Sequence, residues 1–229
     1  LCAATALMLP FLLIDLVILG ANMRKVLDGG YVPLAIAAFV VMVMATWLRG
    51  SAVLLQKEHD AEVPLDTILR QLEKATIATV PGTAIYLTSS PETAPVALMH
   101  SLKHFKSLHE QNVILTIVTA PVPRVELEDR VQMETINPRF RRVTLTYGYM
   151  EDPNVPQGLA RCRELGWKFD IMSTSFLLSR RTLKLASKST LPGWQRRIFI
   201  FMARNAAGAS DYFHIPAGRV VEIGTQVNL

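Results

Sequence analysis

Residues 3–48 read AATALMLPFLLIDLVILGANMRKVLDGGYVPLAIAAFVVMVMATWL, two apolar runs joined by a short polar segment at 21–25. Asp15 is the only Asp, Glu, Lys, Arg or His between positions 3 and 21, and there is none between positions 31 and 48. An α-helix rises about 1.5 Å per residue, so each run is long enough to cross a hydrocarbon core about 30 Å thick. The sequence therefore predicts a membrane α-helical hairpin, with transmembrane helices at about residues 3–21 and 31–48.

The rest of the chain has the composition of a soluble domain. In residues 1–48 two basic residues balance two acidic ones, so the net charge of +5 belongs to residues 49–229. This excess suits a domain that faces anionic lipid head groups, and it is too dilute for a nucleic-acid-binding surface. We therefore expect membrane lipid as a partner and no nucleic acid.

Two features indicate a larger membrane protein with a domain in a reducing compartment. Cys2 and Cys162 are far apart in the sequence and form no CxxC motif, which favours the cytosolic side for the soluble part. Leu1 is not a start residue, and no basic segment precedes the first apolar run as it would in a signal peptide. The expectation is a chain that begins inside a longer membrane protein.

Asp15 is the candidate functional residue of the first apolar run. A carboxylate at membrane depth is costly, and it marks an ion path or a buried polar partner. The alternative is a structural hydrogen bond in a helix–helix contact, because polar contacts are common between membrane helices. Pro10, on the same helix, frees a backbone carbonyl and indicates that another helix or a polar side chain packs there.

The chain after the second apolar run divides into a linker and a domain. Residues 51–78 are predicted to be an amphipathic linker that lies against the membrane or caps the domain, because Leu65, Ile68 and Leu69 recur at helical spacing. From residue 79 onward strand-like and helix-like segments alternate, which predicts a cytosolic mixed α/β domain over residues 79–229.

The strongest strand signal in this domain is the β-branched run at residues 112–119, which we expect to be central in the sheet. Residues 130–135 and 141–147 are predicted to pair as strands through Asn137 and Pro138.

A helix predicted at residues 95–110 carries His100 and His104 four residues apart. That spacing puts both rings on one helical face and supplies two ligands, whereas a zinc site uses three or four. No further cluster of ligands is visible, so a solvated histidine pair is favoured over a metal site. His109 is expected on the apolar face of the same helix as a hydrogen-bonded core residue.

No sequence motif indicates catalysis or phosphate binding. The GxxxxGK[ST], GxGxxG and GxSxG patterns are all absent. Arginine pairs at 141–142, 180–181 and 196–197 are interpreted as solvated surface, with contact to anionic lipid or to a negatively charged ligand as the alternative. We therefore predict no enzyme activity, no metal and no cofactor.

A series of short segments runs in order from the first apolar run to the end of the chain. They are Asp15 with Ala21-Asn22 and Lys25, DGGYVPL (28–34), TWLRG (46–50), VPGTAIYL (80–87), HSLKHFKSLHE (100–110), PRV (123–125), YGYME (147–151), YFHIP (212–216) and RVVEIG (219–224). Together they resemble the last two membrane helices and the cytosolic tail of the KUP/HAK/KT potassium transporters. The chain departs from that family at Ser101 and Phe105, where asparagines are usual, and Phe105 is expected to strengthen the apolar face of its helix.

The resemblance implies a potassium importer of the inner membrane that moves K⁺ together with H⁺ through a multi-pass core of the amino-acid/polyamine transporter type. This chain would then be a C-terminal fragment, with everything after Leu48 in the cytoplasm and a homodimer as a further expectation. The family's ion-binding residues lie in earlier helices, and the motif that contains Asp15 assigns it no role. The alternative, from another class, is a membrane-anchored sensor that binds a nucleotide or an anionic lipid through its arginine pairs.

Overall fold

The computed structural model describes residues 2–60, 62–167, 170–184, 191–206 and 208–228. The chain divides into two compact units, one of residues 1–52 with 191–199 and the other of residues 53–190 with 200–229. The first unit contains the apolar runs, and the second is built on a β-sheet.

The first unit contains α1 (Cys2–Lys25) and most of α2 (Tyr31–Asp60), joined by a π-helical turn at Val26–Gly30. Gly29 in this turn has φ 115°, a backbone conformation that favours glycine. By length and hydropathy α2 can cross a membrane, and α1 contributes the shorter apolar stretch Met8–Met23. The described side chains of that stretch are all exposed, so the packing of the two helices as a hairpin stays a prediction.

Both helices run further than the apolar runs that predicted them. α1 continues to Lys25, and α2 continues past Arg49 to Asp60, into the segment expected to be a linker. Lysine, glutamate, arginine and glutamine are good helix formers, so the end of an apolar run does not by itself end a helix.

The second unit alternates helices and strands. Its elements are α3 (Leu65–Lys74), β1 (Ala78–Thr88), α4 (Val96–Phe105), β2 (Ser107–Ala120), β3 (Val131–Asn137), β4 (Phe140–Gly148), α5 (Val155–Arg161), β5 (Thr174–Lys184), α6 (Gly193–Arg204, whose first residues belong to the first unit), α7 (Ala209–Tyr212) and β6 (Val220–Asn228). The strands form one sheet in the order β3-β4-β2-β1-β5-β6. β3 is antiparallel to β4, and all other neighbours are parallel.

Two hydrophobic cores cover the two faces of this sheet. Successive side chains of a strand point to opposite faces, so Ile85 and Phe176 lie in one core while their neighbours Tyr86 and Leu177 lie in the other. α5 packs on the first face, and α3 and α4 pack on the second. The buried side of α3 thus faces the sheet.

The end of α4 corrects the prediction of a helix over residues 95–110. Lys106 adopts the left-handed conformation with φ 53°, which ends the helix, and β2 begins at the next residue. His109 therefore lies on a strand, half-buried, and burial lowers its pKa. Phe105 is exposed and does not strengthen the apolar face of the helix, whereas Ser101 is buried.

Candidate functional site

Asp15 lies in the middle of α1 on an apolar helical surface. Phe11, Leu12, Ile18 and Leu19 are its neighbours one turn above and below, and all of them are exposed. Hydrocarbon cannot solvate a carboxylate, so in the predicted transmembrane helix Asp15 would require a polar partner from another helix or a water-filled path. Both interpretations of Asp15 therefore remain open on the geometry of α1.

The two histidines of α4 stack on each other, with His104 exposed and His100 partly buried. The ring centroids of His100 and His104 are 5.6 Å apart, and the rings are inclined by 15°. Within the part of the chain that the structure describes, no group of three or more His, Cys, Asp and Glu side chains is placed to hold a metal ion. The pair thus supplies two nitrogen ligands without a third, which is fewer than a zinc site uses.

An open groove of about 670 Å³ lies between α3 and α4. Its walls include the apolar Ile68, Leu72 and Met99, and Lys103 and Lys106 stand at its rim. Every polar side chain of the lining is at least partly exposed, so the groove has no buried polar group to orient a particular ligand. Specific small-molecule sites usually contain a few such groups at fixed positions.

Glu151 is the centre of a charged network at the carboxyl ends of β2 and β4. Its Oε2 accepts hydrogen bonds from the backbone N–H groups of Gly148 at 2.7 Å and Val125 at 3.1 Å. Its Oε1 pairs with the Arg130 guanidinium, which also donates to the Val125 carbonyl at 3.2 Å. The hydrogen bond from the Gly148 N–H is the largest cause of a lowered pKa of Glu151, and Arg130 lowers this pKa further.

Tyr147 joins this network to the loop that leads into α5. The Arg130 guanidinium carbon lies 5.2 Å from the centroid of the Tyr147 ring, and the phenol O–H donates to the Asn154 carbonyl at 2.7 Å. Burial raises the pKa of Tyr147, so the phenol stays a hydrogen-bond donor. A side chain at Gly148 would overlap the backbone of Pro123, so glycine is required where these two segments meet.

The network connects the loops that follow β2 and β4, and it does not form a substrate pocket. The cavity beside it has a volume of about 100 Å³, whereas ligand sites usually span about 300–1,000 Å³. Sequence reasoning missed the Arg130–Glu151 pair, although it had singled out the segment Tyr147–Glu151 as a motif.

Four of the six arginines in the predicted basic pairs have partners inside the second unit. Arg141 donates to Gln111 at 3.1 Å and lies over the Trp167 ring, Arg142 pairs with Glu134 at 2.6 Å, Arg180 with Glu222 at 3.0 Å, and Arg181 with Glu58 at 2.6 Å. These guanidinium groups are oriented by the protein itself, so an anion-binding surface made of these four arginines is not favoured.

Comparison with known proteins assigns two successive parts of the chain to one family. Residues 1–52 match the K⁺ potassium transporter integral membrane domain, and residues 81–229 match the K⁺ potassium transporter C-terminal domain. The chain is 58% identical to the probable potassium transport system protein Kup 3 of a Bradyrhizobium species over 99% of this chain and 36% of that protein. It is 56% identical to the probable potassium transport system protein Kup of Brucella anthropi over 99% of this chain and 35% of that protein.

This chain spans little more than a third of the length of these relatives, and no solved structure matches it. The two domain matches follow each other in the order of the two structural parts, apolar helices first and mixed α/β domain second. The chain therefore belongs to the K⁺ potassium transporter family.

Proposed function

We propose that this chain is the C-terminal part of a potassium uptake protein of the inner membrane. It contributes the last two transmembrane helices and a cytoplasmic domain, while other helices of the multi-pass protein bind K⁺ and couple its movement to H⁺. The observation that carries the proposal is the match of an integral membrane domain and a C-terminal transporter domain in succession over nearly the whole chain. The names of the relatives, which are potassium transport system proteins, support the choice of ion.

Asp15 is proposed as an ion-path residue of this transporter. The carboxylate is the only charged group in residues 3–21 of α1, and these residues match the integral membrane domain. A negative charge at such a position is favourable only beside a cation, a proton or a polar partner, and all three are available in a path for K⁺ and H⁺.

The α/β domain is proposed to support assembly or regulation, without a catalytic role. In the described residues the charged network around Glu151 fastens loops, and the histidine pair has no third ligand. A buried, unpaired Cys162 fits the cytoplasmic location, because a reducing compartment keeps thiols free.

The test is potassium uptake by the full-length gene in a host that lacks its own K⁺ importers, with and without residues 60–229. Growth at low K⁺ from the full-length protein supports the permease, and uptake that falls when a protonophore is added supports coupling to H⁺. Loss of uptake on truncation, with an equal amount of protein in the membrane, would mean that transport requires the tail. A well-expressed full-length protein without uptake would reject the proposal.

A further inference from the structure

α6 exposes two large aromatic side chains on one face. Trp194 is 50% exposed and Phe201 is 70% exposed, while Phe199 and Ile200 are buried. Residues seven apart in a helix lie on nearly the same face, so Trp194 and Phe201 form a single aromatic strip. Exposed aromatics of this size on a regular helix indicate a surface that is covered in the working protein.

Two arginines border the aromatic strip. Arg197 and Arg204 are exposed, and they are also seven residues apart, so they form a parallel row beside Trp194 and Phe201. A helix with aromatic residues on one side and arginines beside them has the composition of helices that lie in the plane of a membrane surface.

The first turns of α6 are packed on α2 where its apolar run ends. The ring centroids of Phe199 and Trp47 are 5.4 Å apart, and a Cβ added to Gly50 would overlap the Phe199 ring. Residues 31–48 contain no Asp, Glu, Lys, Arg or His, and Arg49 follows directly. Tryptophan is enriched at membrane–water interfaces, so this contact marks the level at which α2 leaves the hydrocarbon core.

We propose that α6 is a membrane-surface helix that contacts anionic phospholipid. Trp194 and Phe201 insert between head groups of the leaflet through which α2 emerges, and Arg197 and Arg204 bind the phosphates. Guanidinium groups match phosphate oxygens in charge and in planar geometry, and an aromatic strip bordered by them suits the boundary between head groups and acyl chains. The inference rests on the membrane placement of α2 in the proposed function and does not depend on which ion is transported.

The test uses the full-length protein with Trp194→Cys labelled by an environment-sensitive fluorophore, in a background whose native reactive cysteines are replaced. The protein is reconstituted in vesicles of phosphatidylethanolamine and phosphatidylglycerol that contain a lipid with a quencher near the head group. Leu127→Cys is the matched control, because Leu127 is a 54% exposed apolar residue of the second unit. Phe201→Cys is a second reporter, so that poor folding of one variant does not decide the result.

We expect the labels at positions 194 and 201 to be quenched about twofold or more relative to the label at position 127. This excess quenching over position 127 should become smaller in phosphatidylcholine vesicles, which lack anionic lipid. The double substitution Arg197→Gln with Arg204→Gln should reduce it by a similar amount. Equal quenching at all three positions would overturn the proposal. A photoreactive label attached at position 194 that crosslinks to another part of the transporter instead of lipid would also overturn it. Potassium uptake by the same vesicles separates the two proposals: strong quenching without uptake rejects potassium transport and leaves the lipid contact standing.

Discussion

The Glu151 carboxylate holds the Arg130 guanidinium with one oxygen and the backbone N–H groups of Gly148 and Val125 with the other. The side chains of Arg130 and Glu151 are 17% and 15% exposed, so both charges are largely withdrawn from water. The pair holds together the loops that follow β2 and β4, at the carboxyl ends of these two strands.

Glu151→Gln should destabilise the α/β domain by about 2–3 kcal/mol, because Arg130 loses its counter-ion and two N–H groups lose a charged acceptor. Thermal unfolding of the chain in detergent measures the loss. Glu222→Gln is the matched control, since its pair with Arg180 is much more exposed, and a change below about 1 kcal/mol is expected there. Equal effects of the two substitutions would contradict the central role of Glu151.

The contribution of Glu151 should also depend on pH. Its pKa in the folded domain lies below the ordinary value of 4.5, chiefly because of the hydrogen bond from Gly148. A carboxyl group with a lowered folded-state pKa adds stability that is fully present above the unfolded-state pKa and is lost as the pH falls through the folded-state pKa. The stability difference between the wild type and Glu151→Gln should therefore be constant from neutral pH to about pH 5 and should shrink below that. Urea unfolding curves across this range measure it, and a difference that grows with acid would be inconsistent with the lowered pKa.

Gly50→Ala should destabilise the first unit by about 1–3 kcal/mol, because the added methyl group overlaps the Phe199 ring. Gly20→Ala is the control: among the described residues, nothing beyond its chain neighbours and its own helix backbone lies within 4 Å of a Cβ at that position. Alanine is the better helix former, so the control should be neutral or stabilising by about 1 kcal/mol. Tryptophan emission during thermal unfolding in detergent measures the stability of both variants. If Phe199→Leu does not restore part of the loss in Gly50→Ala, the clash is not the cause.

Asp15→Asn should reduce potassium uptake by the full-length protein without reducing its amount in the membrane, because the amide cannot carry the negative charge of the proposed ion path. Asp15→Glu keeps the charge and is expected to retain more uptake than the amide. Radiotracer uptake normalised to membrane protein distinguishes them. Unchanged uptake in Asp15→Asn would remove Asp15 from the mechanism and favour a structural helix–helix contact.

Cys162 should resist thiol reagents in the folded chain. It is fully buried, and burial raises its pKa to about 11, so very little reactive thiolate is present near neutral pH. Mass spectrometry of peptides after brief treatment with a maleimide should find Cys162 unmodified in buffer and modified in guanidinium chloride. Rapid modification without denaturant would show that the core around α5 opens readily.

Local signals in the sequence predicted much of the α/β fold. The β-branched run at residues 112–119 is confirmed as part of an inner strand of the sheet, because it lies in β2 between β1 and β4. The strand pair through Asn137 and Pro138 is confirmed as the antiparallel β3 and β4. Both features could be predicted because a strand and a turn each depend on a few adjacent residues.

Features that depend on backbone conformation or on distant residues were not predictable in the same way. The end of α4 depends on a left-handed lysine, Lys106, and lysine is no signal for that conformation. The pair of Arg130 and Glu151 joins residues from different segments that only the folded sheet brings together. Asp15 could be singled out as a candidate from the sequence alone, because an acidic residue in an apolar run needs no tertiary information to be noticed, and its role stays a prediction.

The position of β1 has a consequence for synthesis of the protein. On one side Thr83 pairs with Gln111, which follows closely in the chain, and on the other side it pairs with Thr174, which is made much later. While a ribosome is still producing the segment between β4 and β5, β1 to β4 can assemble with one parallel edge of β1 unpaired. An open edge of this kind can recruit a strand from another chain. Nascent chains that stall before Thr174 should therefore be more prone to aggregation than the complete domain, and more dependent on chaperones.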